Sequence, residues 1–198
     1  MRIATFILFL LMPCISMAED IPAPMGLTWG ASDDDLTSKF GAIKAGDQKG
    51  YEIFIINKPP ITLGNIDSVI GITYPKLGLV KVVLASTISN DAFGTAGSKL
   101  YADFKAKLTE KYGKPKSYEY INKKLYTEAD EYYQCLNYEG CGSMISFFKE
   151  GQPSNVSLEL SGKMRGEGAL KISYESNLFS ESQKSAEKEL QRKESAGL

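Results

Sequence analysis

Val156-Ser157-Leu158-Glu159-Leu160-Ser161 and Ala169-Leu170-Lys171-Ile172-Ser173-Tyr174-Glu175 each alternate apolar and polar residues over the length of a strand. Successive strand side chains point to opposite faces, so Val156, Leu158 and Leu160 share one face, as do Leu170, Ile172 and Tyr174. Alternation of this kind marks a sheet packed on one side and wet on the other, the habit of antiparallel sheets. Such a sheet needs a cover for its apolar face.

The cover is legible upstream. Leu100, Phe104, Leu108 and Tyr112 recur at four-residue spacing, with Lys105, Lys107, Glu110 and Lys111 between them, and Gly113 and Pro115 end the helix. A shorter helix starts at Ser32, which caps it. Asp33, Asp34 and Asp35 lie in its first turn, where the helix dipole favours negative charge, and Gly41 stops it after Leu36 and Phe40. Tyr51–Asn57, Ile66–Tyr74 and Leu79–Ala85 are Ile-, Val- and aromatic-rich and read as strands. Pro75-Lys76-Leu77-Gly78 joins the last two as a hairpin, and Glu150-Gly151-Gln152-Pro153 joins Met144–Phe148 to Val156–Leu160.

The expected class is α+β: an antiparallel β-sheet packed against one or two helices in a single domain over 19–178. The spacing Leu108-x3-Tyr112-Gly113 repeats Leu36-x3-Phe40-Gly41. A duplicated helix-plus-sheet unit, with halves 19–95 and 96–178, is therefore an open alternative. Residues 179–198 read as a polar C-terminal helix or tail, with a capping-box pattern at Ser180 and Gln183 and few apolar residues after it.

Met1-Arg2, the apolar run Ile3–Met12 and Ser16-Met17-Ala18 form a secretory signal peptide spanning 1–18. Its apolar run falls short of the ~20 residues that a spanning helix needs. The expected location is periplasmic or secreted, with no membrane span after cleavage. Cys14 lies inside the signal behind Pro13, where a lipid-attachment site would carry a small residue. Cys135 and Cys141 remain, an even pair for an oxidising compartment, and are expected to form a disulfide. Closing so short a loop restricts the unfolded chain by about 2 kcal/mol. The C-x5-C spacing is not that of a redox C-x-x-C pair, and two thiolates lack the further His or Cys ligands of a metal site.

The 198 residues contain no histidine. That removes Ser-His-Asp and Cys-His nucleophile pairs, His-ligated zinc and the commonest neutral-pH base. Ser146-Phe147-Phe148-Lys149 and Ser185-Ala186-Glu187-Lys188 match S-x-x-K by count, without the companion elements of that chemistry. The Asp33–Asp35 run lacks the alternating ligands and the glycine of a calcium loop. No cofactor motif is present and no metal is called for. A formal charge of −1 without a basic stripe argues against nucleic acid. The chain reads as a non-enzyme.

Seven of the eleven tyrosines fall at 112, 118, 120, 126, 132, 133 and 138. Tyrosine offers large contact area at low entropic cost, which suits a binding surface, and it also favours half-buried strands. Tyr118 and Tyr120 share one strand face, so they lead the interaction candidates, with Tyr126, Tyr132 and Tyr133. Trp29 is either a recognition anchor or a plug between the first helix and the sheet, and burial is the simpler reading. Arg165, flanked by glycine in a connection, could clamp an anion or face solvent.

Trp29-Gly30-Ala31-Ser32, the three acids, Leu36 and Phe40-Gly41 resemble the "W-G-x-S … L-x3-[LF]-G" opening of small bacterial exported proteins. The order of short helix, glycine stop and antiparallel strands is similar to the helix-plus-sheet units of beta-lactamase-inhibitor protein and of small outer-membrane assembly lipoproteins. The resemblance implies a binding or scaffolding role without catalysis. The function expected is a non-enzymatic protein-binding module of the bacterial envelope, of inhibitor or assembly-factor type, whose partner is an unidentified envelope or secreted protein. The alternative is a carrier of a small apolar ligand or lipid, held between helix and sheet.

Overall fold

The two alternating stretches lie side by side near the middle of one eight-stranded antiparallel sheet. The computed structural model describes residues 20–122 and 125–196, so the expected signal peptide at 1–18 lies outside the described residues. Helix α1 (Asp33–Phe40) precedes β1 (Ala42–Gln48), β2 (Tyr51–Ile56), β3 (Ser68–Tyr74) and β4 (Gly78–Ile88). Helix α2 (Thr95–Tyr112) precedes β5 (Lys116–Ile121), with α3 (Tyr132–Asn137) inserted before β6 (Gly142–Phe148), β7 (Asn155–Met164) and β8 (Glu167–Glu175). Helix α4 (Asn177–Ala196) ends the described chain. The strand order is β1-β2-β3-β4-β8-β7-β6-β5. Each helix-led meander of four strands thus ends at the centre, where β4 pairs with β8, and one core cluster runs through both halves.

Register explains which face is buried. Leu84 lies opposite Ile172, which lies opposite Leu158, and Val82, Tyr174 and Val156 form the next row. Helix α2 covers these rows with Tyr101, Phe104 and Leu108. Full burial of each large apolar side chain is worth about 1.5–3 kcal/mol. Leu100 and Tyr112, expected on the buried face, are only partly buried. A strict four-residue row winds around a helix of 3.6 residues per turn, and the Gly97, Tyr101, Phe104, Leu108 row stays on the sheet.

The first half of the same face is covered by Ile21, Met25, Leu27 and Leu36, all in the core cluster. The segment ahead of α1 is tied to β4: Gly30 N–H donates to the Leu79 carbonyl (2.9 Å) and Leu79 N–H to that of Ala31 (2.8 Å). Helix α1 forms as its sequence demands. Ser32 Oγ accepts from Asp35 N–H at 3.1 Å, and Gly41 takes the left-handed conformation that ends it.

Three elements depart from expectation. Strand β1 is exposed along most of its length and carries a bulge between Lys44 and Gly46, so it shows no alternation to read. Helix α3 is a short turn in the β5–β6 connection, too brief to display a period. It is bonded to the start of β6 through Cys135–Cys141, with an S–S distance of 2.07 Å. Helix α4 starts at Asn177, before the expected tail boundary, and its first turn is anchored. Phe179 lies 5.9 Å from the Tyr51 ring and 4.9 Å from Lys81 Nζ. Among the described residues no helix is long and apolar enough to cross a membrane.

Helix α3 sits against β7 and β8 where Gly162 and Gly168 leave room. A Cβ at Gly162 would collide with the Tyr133 carbonyl, and one at Gly168 with the Tyr133 ring. Gly162→Ala is expected to lower stability by about 1–3 kcal/mol through overpacking. Urea denaturation followed by circular dichroism measures it, with Gly64→Ala, where a Cβ meets open space and the backbone φ is not left-handed, as a control.

Candidate functional site

Among the described residues, helix α4 is what lies against the opposite face of the sheet, with Phe179 beside Tyr51 and Lys81 and with Ala186, Leu190 and Lys193 lining a groove with Tyr74. The side chains of this face form rows across the strands, fixed by register. One row reads Ile43, Ile55, Ile70, Val83, Ser173, Ser157, Phe147 and Lys116. The next reads Ser68, Ala85, Lys171, Glu159, Ile145 and Tyr118. The β1–β4 side of this face is therefore aliphatic, the centre polar, and the β5–β6 side aromatic. Ile43 is 63% exposed, Ile55 43%, Tyr118 44% and Tyr120 48%. Single exposed apolar residues are ordinary, whereas adjacent ones in one row are a mark of a contact surface.

The polar centre is organised. Lys81 Nζ contacts Glu175 Oε1 at 2.7 Å, and Asn155 Nδ2 donates to Glu175 Oε2 at 3.0 Å. Lys171 and Glu159 stand directly opposite one another. Tyr118 meets Phe147 edge to face with ring centroids 6.2 Å apart, and Lys116 Nζ lies 5.5 Å from the Tyr118 ring.

The candidate residues divide. Tyr118 and Tyr120 lie together on the open face. Tyr126 is in the β5–α3 connection and meets Tyr138 edge to face, with centroids 6.0 Å apart. Tyr132 is half-buried, and its hydroxyl accepts from Ser98 Oγ at 3.0 Å. Tyr133 is fully buried, so it is a core residue and not part of an interaction surface. Its hydroxyl donates to Asp91 Oδ2 at 2.7 Å. Trp29 packs against the core, its indole N–H donating to the Ile21 carbonyl at 2.6 Å. Arg165, in the β7–β8 turn, pairs with Asp130 (3.1 Å) and Glu131 (3.5 Å). Its guanidinium holds the turn ahead of α3.

Two carboxylates are set by their surroundings. Burial would raise the Asp91 carboxyl, but the Gly97 backbone N–H at 2.9 Å and the Tyr133 hydroxyl outweigh it and hold the group below its ordinary value. Burial likewise opposes ionisation of Glu119. Lys105 at 2.6 Å, Tyr101 at 2.8 Å and Ser146 at 3.1 Å prevail and lower it. Burial raises the Tyr101 and Tyr133 phenols well above the usual range. Ser146 is fully buried, with its hydroxyl shared among Tyr101, Ser117 and Glu119. That is a hydrogen-bond network closed around a fully buried hydroxyl. Among the described residues no three His, Cys, Asp or Glu side chains cluster to hold a metal ion.

No family model matches the chain, and neither the curated proteins nor the solved structures give a match.

The aliphatic half of the face was missed in the sequence, although a signal is there. Ile53-Phe54-Ile55-Ile56 and Val69-Ile70-Gly71-Ile72 are apolar on both strand faces, where a one-sided sheet needs only one.

Asp91→Ala should cost about 1.5–3 kcal/mol at pH 7, the range for a hydrogen-bonded charged group. Because the folded carboxyl is depressed, its contribution is complete above the ordinary carboxylate value of about 4 and is lost as pH falls through the folded value. Urea midpoints across a pH series should therefore fall less steeply on acidification in the variant than in the wild type.

Proposed function

We propose that this chain is an exported, non-enzymatic module that binds another protein of the bacterial envelope through the open face of its sheet, in the manner of an inhibitor or assembly factor. The observation that carries this is the aliphatic row Ile43, Ile55, Ile70 and Val83, continuous across four strands, exposed at Ile43 and Ile55 and half-buried at Ile70 and Val83. Aliphatic side chains left in water on a rigid sheet gain about 1.5–3 kcal/mol each when a partner covers them fully. The aromatic side at Tyr118 and Phe147 adds rigid contact area of the kind enriched at binding hot spots. The polar stripe between them supplies orientation. The signal-like first eighteen residues, the absence of histidine and the Cys135–Cys141 bond all suit this reading. So does the resemblance of the Trp29–Gly41 segment to small exported binding proteins.

The carrier reading asks for space between helix and sheet. Tyr101, Phe104 and Leu108 instead meet Leu158, Leu160, Leu170 and Ile172 in one packed cluster. A cleft of about 670 Å³ does lie along α2, but it opens outward between Ala102, Ala106 and Met144 and does not enclose a ligand.

The test is affinity capture from the host envelope fraction with the oxidised 19–198 chain, and with Ile43→Glu and Ile55→Glu in its place. A protein recovered by the wild type should fall at least about tenfold with either variant, equivalent to 1.4 kcal/mol. Lys111→Glu on α2, away from the open face, should retain it. Equal recovery by all four chains, or none by the wild type, overturns the reading.

A further inference from the structure

We propose that β5 is a dimerisation edge, pairing antiparallel with the β5 of a second copy about a two-fold axis at Tyr118. The sheet has two edge strands, and they differ. Strand β1 is interrupted by the bulge at Lys44–Gly46, a common device for blunting an edge, whereas β5 keeps an unbroken register with β6 from Lys116 to Ile121. An edge strand holds a row of backbone donors and acceptors that only another strand can fully engage.

The direction of those groups follows from one bond. Asn122 N–H donates to the Cys141 carbonyl on the β6 side. Backbone groups alternate along a strand, so those of Lys116, Tyr118 and Tyr120 point to β6 and those of Ser117, Glu119 and Ile121 point outward. Pairing about Tyr118 sets Ser117 opposite Glu119 of the second copy. Both residues present outward groups, so the pair exchanges two hydrogen bonds, and the two-fold repeats them. Tyr118 then meets its own copy as a non-hydrogen-bonded pair, where side chains approach most closely.

The side chains suit this register. On the open face, Lys116 stands opposite Tyr120 of the second copy, a cation beside an aromatic ring. Lys116 already makes such a contact with Tyr118 in its own strand, at 5.5 Å. On the other face a serine faces a carboxylate, and no like charges are opposed. The other register that keeps each face together over this strand, about Glu119, sets two carboxylates opposite one another and is disfavoured. Six residues a side make an interface below the standard size, so the dimer is weak and dissociates on dilution through the micromolar range. It would join two open faces into one continuous surface. It uses none of the aliphatic row, so it stands or falls separately from the partner-binding reading.

Sedimentation equilibrium of the oxidised 19–198 chain from about 1 µM to 1 mM should show a monomer–dimer equilibrium, the upper range being that of weak complexes. Tyr118→Lys, which sets two ammonium groups against each other on the axis, should be monomeric throughout with an unchanged circular dichroism spectrum. Tyr118→Cys should form a covalent dimer on mild oxidation, since paired Cα atoms about 4.5 Å apart are within disulfide reach. Ile43→Cys, on the other edge strand, should not, and Ile43→Glu should leave the dimer intact. A wild type that is monomeric at every concentration overturns the proposal. So does a dimer that survives Tyr118→Lys, or a Tyr118→Cys chain that does not cross-link.

Discussion

Tyr133 occupies the junction on which this architecture depends. Its ring and carbonyl fill the space left where Gly97 of α2, Gly162 of β7 and Gly168 of β8 have no side chains. Its hydroxyl reaches Asp91, whose carboxylate also receives the Gly97 backbone N–H in the first turn of α2. One residue thus fixes α2, α3, β7 and β8 relative to one another. A phenol suits the position because its body is apolar and its tip satisfies a charged group that would otherwise be costly to bury. The Cys135–Cys141 bond secures the same short helix from its other end.

With that junction made, the sheet has two unlike faces. The covered face holds the fully buried Leu84, Leu158, Leu160, Leu170 and Ile172, and helices close over it. The open face carries side chains that the fold itself does not need to bury. A sheet stabilised from one side can present aliphatic and aromatic residues on the other without losing its own packing. The alternation that makes β7 and β8 one-sided is relaxed in β2 and β3, where both faces are apolar. That relaxation is the physical basis for reading the face as a contact surface.

Helix α4 modifies the open face and does not close it. Phe179 sits between the Tyr51 ring and the Lys81 ammonium, and Tyr51 Oη lies 2.9 Å from Ser182 Oγ. Further along α4, Ala186, Leu190 and Lys193 line a groove with Lys49, Gly50 and Tyr74. The exposed i, i+4 pair of Glu189 and Lys193 is screened by solvent and adds little. Helix α4 approaches β4 and β8, so Val83 of the aliphatic row lies on a strand it contacts, while the tyrosines of β5 lie at the far edge of the sheet.

The sequence alone determined the α+β class, the antiparallel pairing, the cap and stop of α1, the α2 helix and the cysteine pair. Each of these is local: a period of two or 3.6, a capping side chain, a turn-forming run or a short spacing. Tertiary structure decided the rest. It buried Tyr133 and left Tyr118 and Tyr120 exposed, although all three lie in one tyrosine-rich stretch, because their surroundings come from strands and helices distant in the chain. It made Trp29 a core contact and engaged Arg165 with Asp130 and Glu131. It also gathered Ile43, Ile55, Ile70 and Val83 into one row, since neighbours across a sheet are set by register between strands and not by separation along the sequence.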